Sequence, residues 1–75
     1  MNLKEIRKEK GLSQSQLAGL AGVSVRTLQE WEQGKRNIDG ASLPTLCCLS
    51  DALGVKIYDI LEDEKLAEKL RKNLS

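Results

Sequence analysis

Apolar positions recur at three- and four-residue steps along most of the chain, with polar residues between them. This spacing places side chains on one face of a helix. The clearest examples lie in two neighbouring segments, with Leu17, Ala18 and Ala21 in the first and Leu28 and Trp31 in the second. Few stretches alternate with period two, and β-branched residues are scarce. The pattern therefore predicts packed helices and no sheet.

Polar residues and glycines mark where these two central helices begin and end. Ser13 can accept the backbone N–H of Gln16, whose side chain can reach back, and this is the form of a capping box. Gly22 suits the left-handed backbone that ends a helix, and Ser24 can cap the next one. Gly34 ends that second helix. The segment therefore predicts two short helices joined by a tight turn.

A further helix is predicted on the N-terminal side. Asn2 can cap it, and it runs to about Lys10 with Gly11 as its stop. Leu3 and Ile6 are expected to face inward.

A fourth helix is predicted after a polar connection. Ser42 can cap it, Pro44 is compatible with its first turn, and Gly54 ends it. Cys47 is expected to be partly buried, and Cys48 to lie further round the helix. The expected buried stripe consists of Leu43, Leu46, Leu49, Ser50 and Leu53.

The C-terminal part is also predicted to be helical. The prediction for the whole chain is therefore all-α, with a compact five-helix domain in residues 1–61 and a helical extension in residues 62–75. Apolar residues of a short fifth helix close the core, and leucines form a stripe along the extension. The extension either folds back on its own domain or pairs with another chain. The residues concerned are Val55, Ile57, Ile60 and Leu61, and then Leu66, Leu70 and Leu74.

The second central helix has a polar outer side. Such a helix suits the DNA major groove, which admits one α-helix. Arg26 can bind the O6 and N7 atoms of guanine, and Val25 can pack on a thymine methyl. Glu30 can accept from a cytosine amino group or, one turn from Arg26, merely orient it. The alternative is the solvated face of an ordinary helix. The residues left pointing away from the core are Val25, Arg26, Thr27, Gln29, Glu30 and Gln33.

The order of these residues resembles the helix-turn-helix of the lambda-repressor/Cro-type family, also called the XRE family. The resemblance continues to Asp59-Ile60-Leu61 and covers roughly residues 2–61. It implies a lambda-repressor-like fold. The residues that carry it are Leu12-Ser13-Gln14, Leu17-Ala18, Gly22-Val23-Ser24, Leu28, Trp31-Glu32 and Gly34-Lys35.

The resemblance also implies which residues position the domain on DNA and which discriminate between bases. Contacts with base edges are assigned to Val25, Arg26 and Glu30, with Thr27 and Gln29 nearby. Contacts with the phosphate backbone are assigned to Gln14, Gln33 and Lys35. Arg36 is added to this group because it lies beyond the end of the helix, where it could reach a phosphate. Lys35 and Arg36 can also complement the negative end of the helix dipole.

A structural ion pair is implied as well. In the family that this chain resembles, an Arg at the position of Arg7 pairs with the Glu at the position of Glu32. Such a pair would tie the first helix to the third. The alternative is an exposed charge without a particular partner.

Composition narrows the picture further. A chain of 75 residues, 40% of them hydrophobic, suffices for one small domain. The formal net charge is only +1, but the chain up to Ile38 carries seven basic and four acidic residues, against five and seven after it. The front half is therefore the part expected to meet phosphate.

Several functions are disfavoured by what the sequence lacks. It contains no His and no Gly-rich phosphate loop, and so short a chain offers little pocket, so we expect no enzyme, no cofactor and no metal site. No apolar run approaches the roughly 20 residues that span a bilayer, and a signal-peptide core is missing, so we expect no membrane contact and a cytoplasmic location. Adjacent cysteines such as Cys47 and Cys48 are not expected to bond to each other.

The sequence thus predicts a sequence-specific DNA-binding transcriptional regulator. It is expected to read the major groove with the helix from Val25 to Gln33, as a homodimer on a palindromic operator whose half-sites lie about one helical turn apart. Repression by blocking polymerase is expected, and activation is an open alternative. A competing interpretation is a protein-interaction module, or an antitoxin whose tail binds a partner protein; exposed Leu20 would be compatible with such a contact.

Overall fold

A computed structural model describes residues 2–74, which form six α-helices and a short 3-10 helix. The all-α prediction is confirmed. The 3-10 helix was not predicted and lies within the polar connection before the fourth helix. The elements in order are α1 (Leu3–Glu9), α2 (Gln14–Ala21), α3 (Val25–Glu32), the 3-10 helix (Ile38–Gly40), α4 (Leu43–Leu53), α5 (Ile57–Ile60) and α6 (Glu64–Leu74).

Side-chain caps hold the N-termini of the first four α-helices. Ser13 and Gln16 form the complete capping box at α2, with both hydrogen bonds present. The cap of α1 is Asn2, that of α3 is Ser24 and that of α4 is Ser42, and each accepts the backbone N–H three residues further on. These caps supply partners for donors that a helix cannot satisfy internally, so the local sequence defines the helix starts.

The core is formed chiefly by α2, α3 and α4, with α2 packed against both of the other two helices. Leu17, Leu28, Leu49 and Leu53 have no measurable exposure. Each such leucine contributes about 1.5 to 3 kcal/mol relative to an exposed position. The predicted inward faces of α2 and α3 are therefore confirmed.

Two predictions about α4 are wrong. Leu43 is 65% exposed although it lies three residues before buried Leu46, and Cys47 is exposed like Cys48. Leu43 is the first residue of α4, and nothing in the described structure covers that end of the stripe. Helical periodicity predicts the direction of a side chain, but burial also requires a neighbouring element at that height.

The C-terminal segment is attached through Asp39 of the 3-10 helix. One carboxylate oxygen accepts the backbone N–H of Glu62 at 2.7 Å, and the other accepts that of Asp63 at 2.9 Å. Beyond this point α6 packs against α5 of its own chain. This contact corresponds to the alternative in which the extension folds back on its own domain. Leu66 remains 37% exposed and Leu70 is half-buried, whereas the side chain of Leu74 lies outside the described part.

An open groove with a volume of about 630 Å³ runs along this junction. The start of α1, the end of α3, α5 and the start of α6 contribute its walls. Trp31 is one of its lining residues, and the indole N–H of this residue is buried without a hydrogen-bond partner among residues 2–74. No helix within the described part of the chain is long and apolar enough to cross a membrane.

Replacing Asp39 should loosen the junction between α6 and the helical core. Asp39→Ala removes the acceptor of both backbone N–H groups, so we expect a loss of about 1 kcal/mol in local stability. Amide hydrogen exchange at Glu62, Asp63 and α6 should quicken, while exchange in α2 and α4 stays at the wild-type rate. Asp51→Ala is the matched control, since Asp51 is exposed and its carboxylate accepts no hydrogen bond from the residues that the structure describes. Unchanged exchange in α6 of the Asp39 variant would contradict the attachment.

Candidate DNA-binding surface

The turn between α2 and α3 fixes how α3 is presented. Gly22 ends α2 in the left-handed conformation with φ at +71°, where a side chain would be strained. The backbone N–H of Val23 then bonds the carbonyl of Ala18 at 3.0 Å. Leu28 and Trp31 anchor the inner side of α3 at 0% and 6% exposure. The opposite side of α3 is thereby left at the surface.

The predicted base-contacting residues are not equally free on that surface. Arg26 is exposed and makes no side-chain hydrogen bond or ion pair with any residue that the structure describes. Val25 is half-buried and packs against the core, which corrects the expectation that it points away. Thr27 is also half-buried, and its hydroxyl accepts a hydrogen bond from Ser24 at 2.9 Å.

Glu30 has a partner other than the predicted one. The sequence allowed Glu30 to orient Arg26, but its carboxylate pairs with Arg36 at 3.2 Å. The backbone N–H groups of Lys35 and Arg36 also bond the Glu30 carbonyl, at 2.9 and 3.2 Å, so the chain turns back beside α3. Exposed pairs of this kind contribute little to stability. The two charges therefore cost little to separate.

Lys35 and Gln33 lie where α3 ends. Both are exposed, and neither side chain bonds another residue within the described range. Together with Arg26 they form the part of the predicted site that is open to a partner.

Arg7 and Glu32 form a buried ion pair between α1 and α3. The Nε atom of Arg7 donates to one carboxylate oxygen at 2.7 Å, and its Nη2 atom donates to the other at 3.1 Å. The two side chains are only 9% and 2% exposed. Arg7 also donates to the carbonyl of Leu12 at 2.9 Å. One guanidinium therefore joins α1, α3 and the residue that leads into α2.

Both members of this pair have shifted pKa values. Burial acts to raise the pKa of Glu32, but hydrogen bonds from Arg7 and Gln14 and the charges of Arg7 and Lys4 outweigh it, so the pKa lies below the ordinary 4.5. The hydrogen bond to Glu32 raises the pKa of Arg7, against the opposing effect of burial. Glu32 is therefore ionised at neutral pH.

Two glutamines extend the pair towards the surface. Gln14, the first residue of α2, donates from Nε2 to Glu32 at 3.0 Å. Its Oε1 atom accepts from the side chain of Gln29 at 3.3 Å. The structure thus joins one predicted phosphate-contacting residue and one predicted base-contacting residue in a single network. Sequence reasoning missed this link, because residues so far apart in the chain give no local signal of contact.

The fold and this surface define a lambda-repressor-like helix-turn-helix domain. A family model described as Helix-turn-helix matches residues 3–60, which is most of the chain. The chain therefore belongs to this family, the XRE-type helix-turn-helix proteins, whose members include DNA-binding transcriptional regulators.

A curated relative supports this membership. The HTH-type transcriptional regulator DdrOP3 of Deinococcus deserti is 40% identical over 60 residues, which is 80% of this chain. The match covers only 44% of that relative, so this chain spans less than half of its length.

Two solved structures share the fold. SinR, described as the master regulator for biofilm formation and crystallised in complex with DNA, is 36% identical with a TM-score of 0.66, covering 75% of this chain and 86% of that one. The restriction-modification controller protein C.AhdI from Aeromonas hydrophila is 38% identical with a TM-score of 0.63, covering 73% and 79%.

Removing one partner of the buried pair should destabilise the domain strongly. Glu32→Gln leaves the Arg7 charge buried without a counter-charge, which costs about 3 to 5 kcal/mol. Because the folded-state pKa of Glu32 is lowered, its contribution is present above the unfolded value of about 4.5 and is lost as the pH falls through the folded pKa. The gap between wild type and variant should therefore be widest near neutral pH and shrink in acid.

Urea unfolding over a pH series measures this gap. Glu68→Gln is the control, since it breaks an exposed ion pair with Arg71 and should change the unfolding midpoint far less. Equal losses for the two variants would contradict the assignment of a buried, stabilising pair.

Proposed function

We propose that this protein is a sequence-specific DNA-binding transcriptional regulator that inserts α3 into the major groove. The observation that carries this proposal is the division of α3 itself. Leu28 and Trp31 hold one side in the core, while Arg26 stands exposed and unpaired on the other within residues 2–74. A helix held in this way meets the requirement for direct reading of bases.

Charge placement supports the same proposal. Lys35 and Gln33 at the end of α3 are free of side-chain partners in the described part, and Arg36 is engaged only in an exposed pair. These groups lie at the C-terminal end of the proposed reading helix, where they can contact phosphates and set its register. Because the net charge of the chain is only +1, attraction to DNA would depend on where the basic residues lie and not on the total charge.

We further propose that the protein acts as a homodimer on a palindromic operator and represses transcription. The α3 helix has eight residues and spans few base pairs. Helix-turn-helix proteins commonly recognise a longer site as dimers, in which each subunit binds one of two half-sites about one helical turn apart. SinR, which is similar to this chain, was crystallised with DNA. Selection of bound sequences from a random DNA pool at a fixed salt concentration tests the DNA-binding part of the proposal. A selected palindrome supports it, and the absence of any selected sequence overturns it.

Arg26 should contribute preference at one base position. On the selected operator, Arg26→Ala should weaken binding by about 1 to 3 kcal/mol and relax the preference at a single position. Arg26→Lys is the matched variant, because it keeps the charge but loses the fork that binds O6 and N7 of guanine together. Competition titrations against operators with single base changes measure both effects. Uniform weakening on every sequence would make Arg26 only a phosphate ligand.

Lys35 should contribute through charge alone. Lys35→Ala should lower the slope of log affinity against log salt by about one unit and weaken binding similarly on all sequences. Lys65→Ala, which removes the same charge from α6, serves as the control and should leave the slope unchanged. Affinity that hardly responds to salt in the wild type would favour the competing function, a protein-interaction module or antitoxin.

A further inference from the structure

We propose that Glu32 is a positioning residue for the DNA-facing surface. Its carboxylate, held by Arg7, fixes the side-chain amide of Gln14 in one orientation, so that an N–H group and not the carbonyl is left to meet a DNA phosphate. This inference rests on the proposed function. It adds a task for the buried ion pair beyond holding α1 against α3.

The orientation follows from what each group can donate or accept. An ionised carboxylate only accepts hydrogen bonds, so the Gln14 atom that lies 3.0 Å from Glu32 must be the nitrogen. The carbonyl oxygen of Gln14 then receives the Nε2 atom of Gln29 at 3.3 Å. Of the two N–H groups on Gln14, one bonds Glu32 and the other has no partner within residues 2–74.

The anchor of this arrangement is itself held from two sides. Arg7 binds both oxygens of Glu32, and its remaining bond goes to the carbonyl of Leu12, two residues before Gln14. The Glu32 side chain is 2% exposed, so water does not compete for its oxygens. The carboxylate therefore has little freedom to turn away from Gln14.

A fixed amide matters because a phosphate oxygen is also only an acceptor. A glutamine that rotates freely offers its carbonyl to the phosphate in part of its orientations, and each such orientation is repulsive. The network removes those orientations before DNA arrives, so the free-energy cost of ordering Gln14 does not weaken DNA binding. The fixed carbonyl of Gln14 also accepts from Gln29, a predicted base-contacting residue of α3.

A double-mutant cycle on operator affinity tests the coupling. Glu32→Gln should raise the Kd about fivefold in the wild-type background, because a neutral amide can bond either end of Gln14 and no longer holds it in one rotamer, so only a fraction of the molecules present the N–H group. In the Gln14→Ala background the same substitution should change the Kd by less than about twofold. Each Kd is corrected for the folded fraction of its variant, measured by urea unfolding under the same conditions, because Gln14 and Glu32 are in contact and their effects on stability do not add. Glu62→Gln is the charge-matched control, as Glu62 lies outside the network.

The outcomes separate this inference from the proposed function. Equal losses of corrected affinity in the two backgrounds would show that Glu32 does not act through Gln14, and the inference would be overturned while DNA binding stood. No operator affinity in the wild type would overturn the proposed function, and this inference with it.

A measurement on the wild-type protein without DNA covers the case in which Glu32→Gln does not fold. The Nε2 relaxation of Gln14, measured by NMR, should give a high order parameter, close to that of the backbone, whereas exposed Gln33 should give a low one. An order parameter for Gln14 as low as that of Gln33 would overturn the inference.

Discussion

The Arg7–Glu32 pair lies at the point where α1, the start of α2 and α3 meet. Two opposite charges at 2.7 Å, nearly withdrawn from water, are stable only when both are present and fully bonded. The carboxylate meets this condition with bonds from Arg7 and Gln14, and the guanidinium also reaches the carbonyl of Leu12. The geometry of the helix-turn-helix therefore depends on this polar contact in addition to the leucines of its core.

This pair and the apolar core perform different tasks for α3. Leu28 and Trp31 determine which side of the helix is buried. Apolar burial is non-directional, so by itself it does not define the rotation of the helix more finely than that. The ion pair adds direction, since hydrogen bonds to a carboxylate weaken when the donor moves out of line. A helix that is to read base edges needs both a buried side and a defined rotation, and the structure supplies each by a separate interaction.

The proposed DNA-binding surface combines free and engaged side chains. Arg26 and Lys35 are free within the described structure, Arg36 is in an exposed pair with Glu30, and Gln14 is bonded to the buried network. Exposed pairs exchange partners at small cost, whereas groups tied to a buried charge do not. The free cations therefore suit adaptation to a phosphate or a base, and the bonded glutamine suits a contact with fixed geometry.

The sequence by itself determined the helices and the inner faces of the two central ones. Caps such as Ser13 and a left-handed glycine such as Gly22 act within a few residues, so their effects can be read from local order. The resemblance to a known family pointed to the pairing of Arg7 with Glu32. Only the tertiary structure decided that Leu43 is exposed, that Asp39 holds the start of the C-terminal segment, and that Glu30 pairs with Arg36. Each of these depends on which segments meet in space, and neither helical period nor spacing along the chain contains that information.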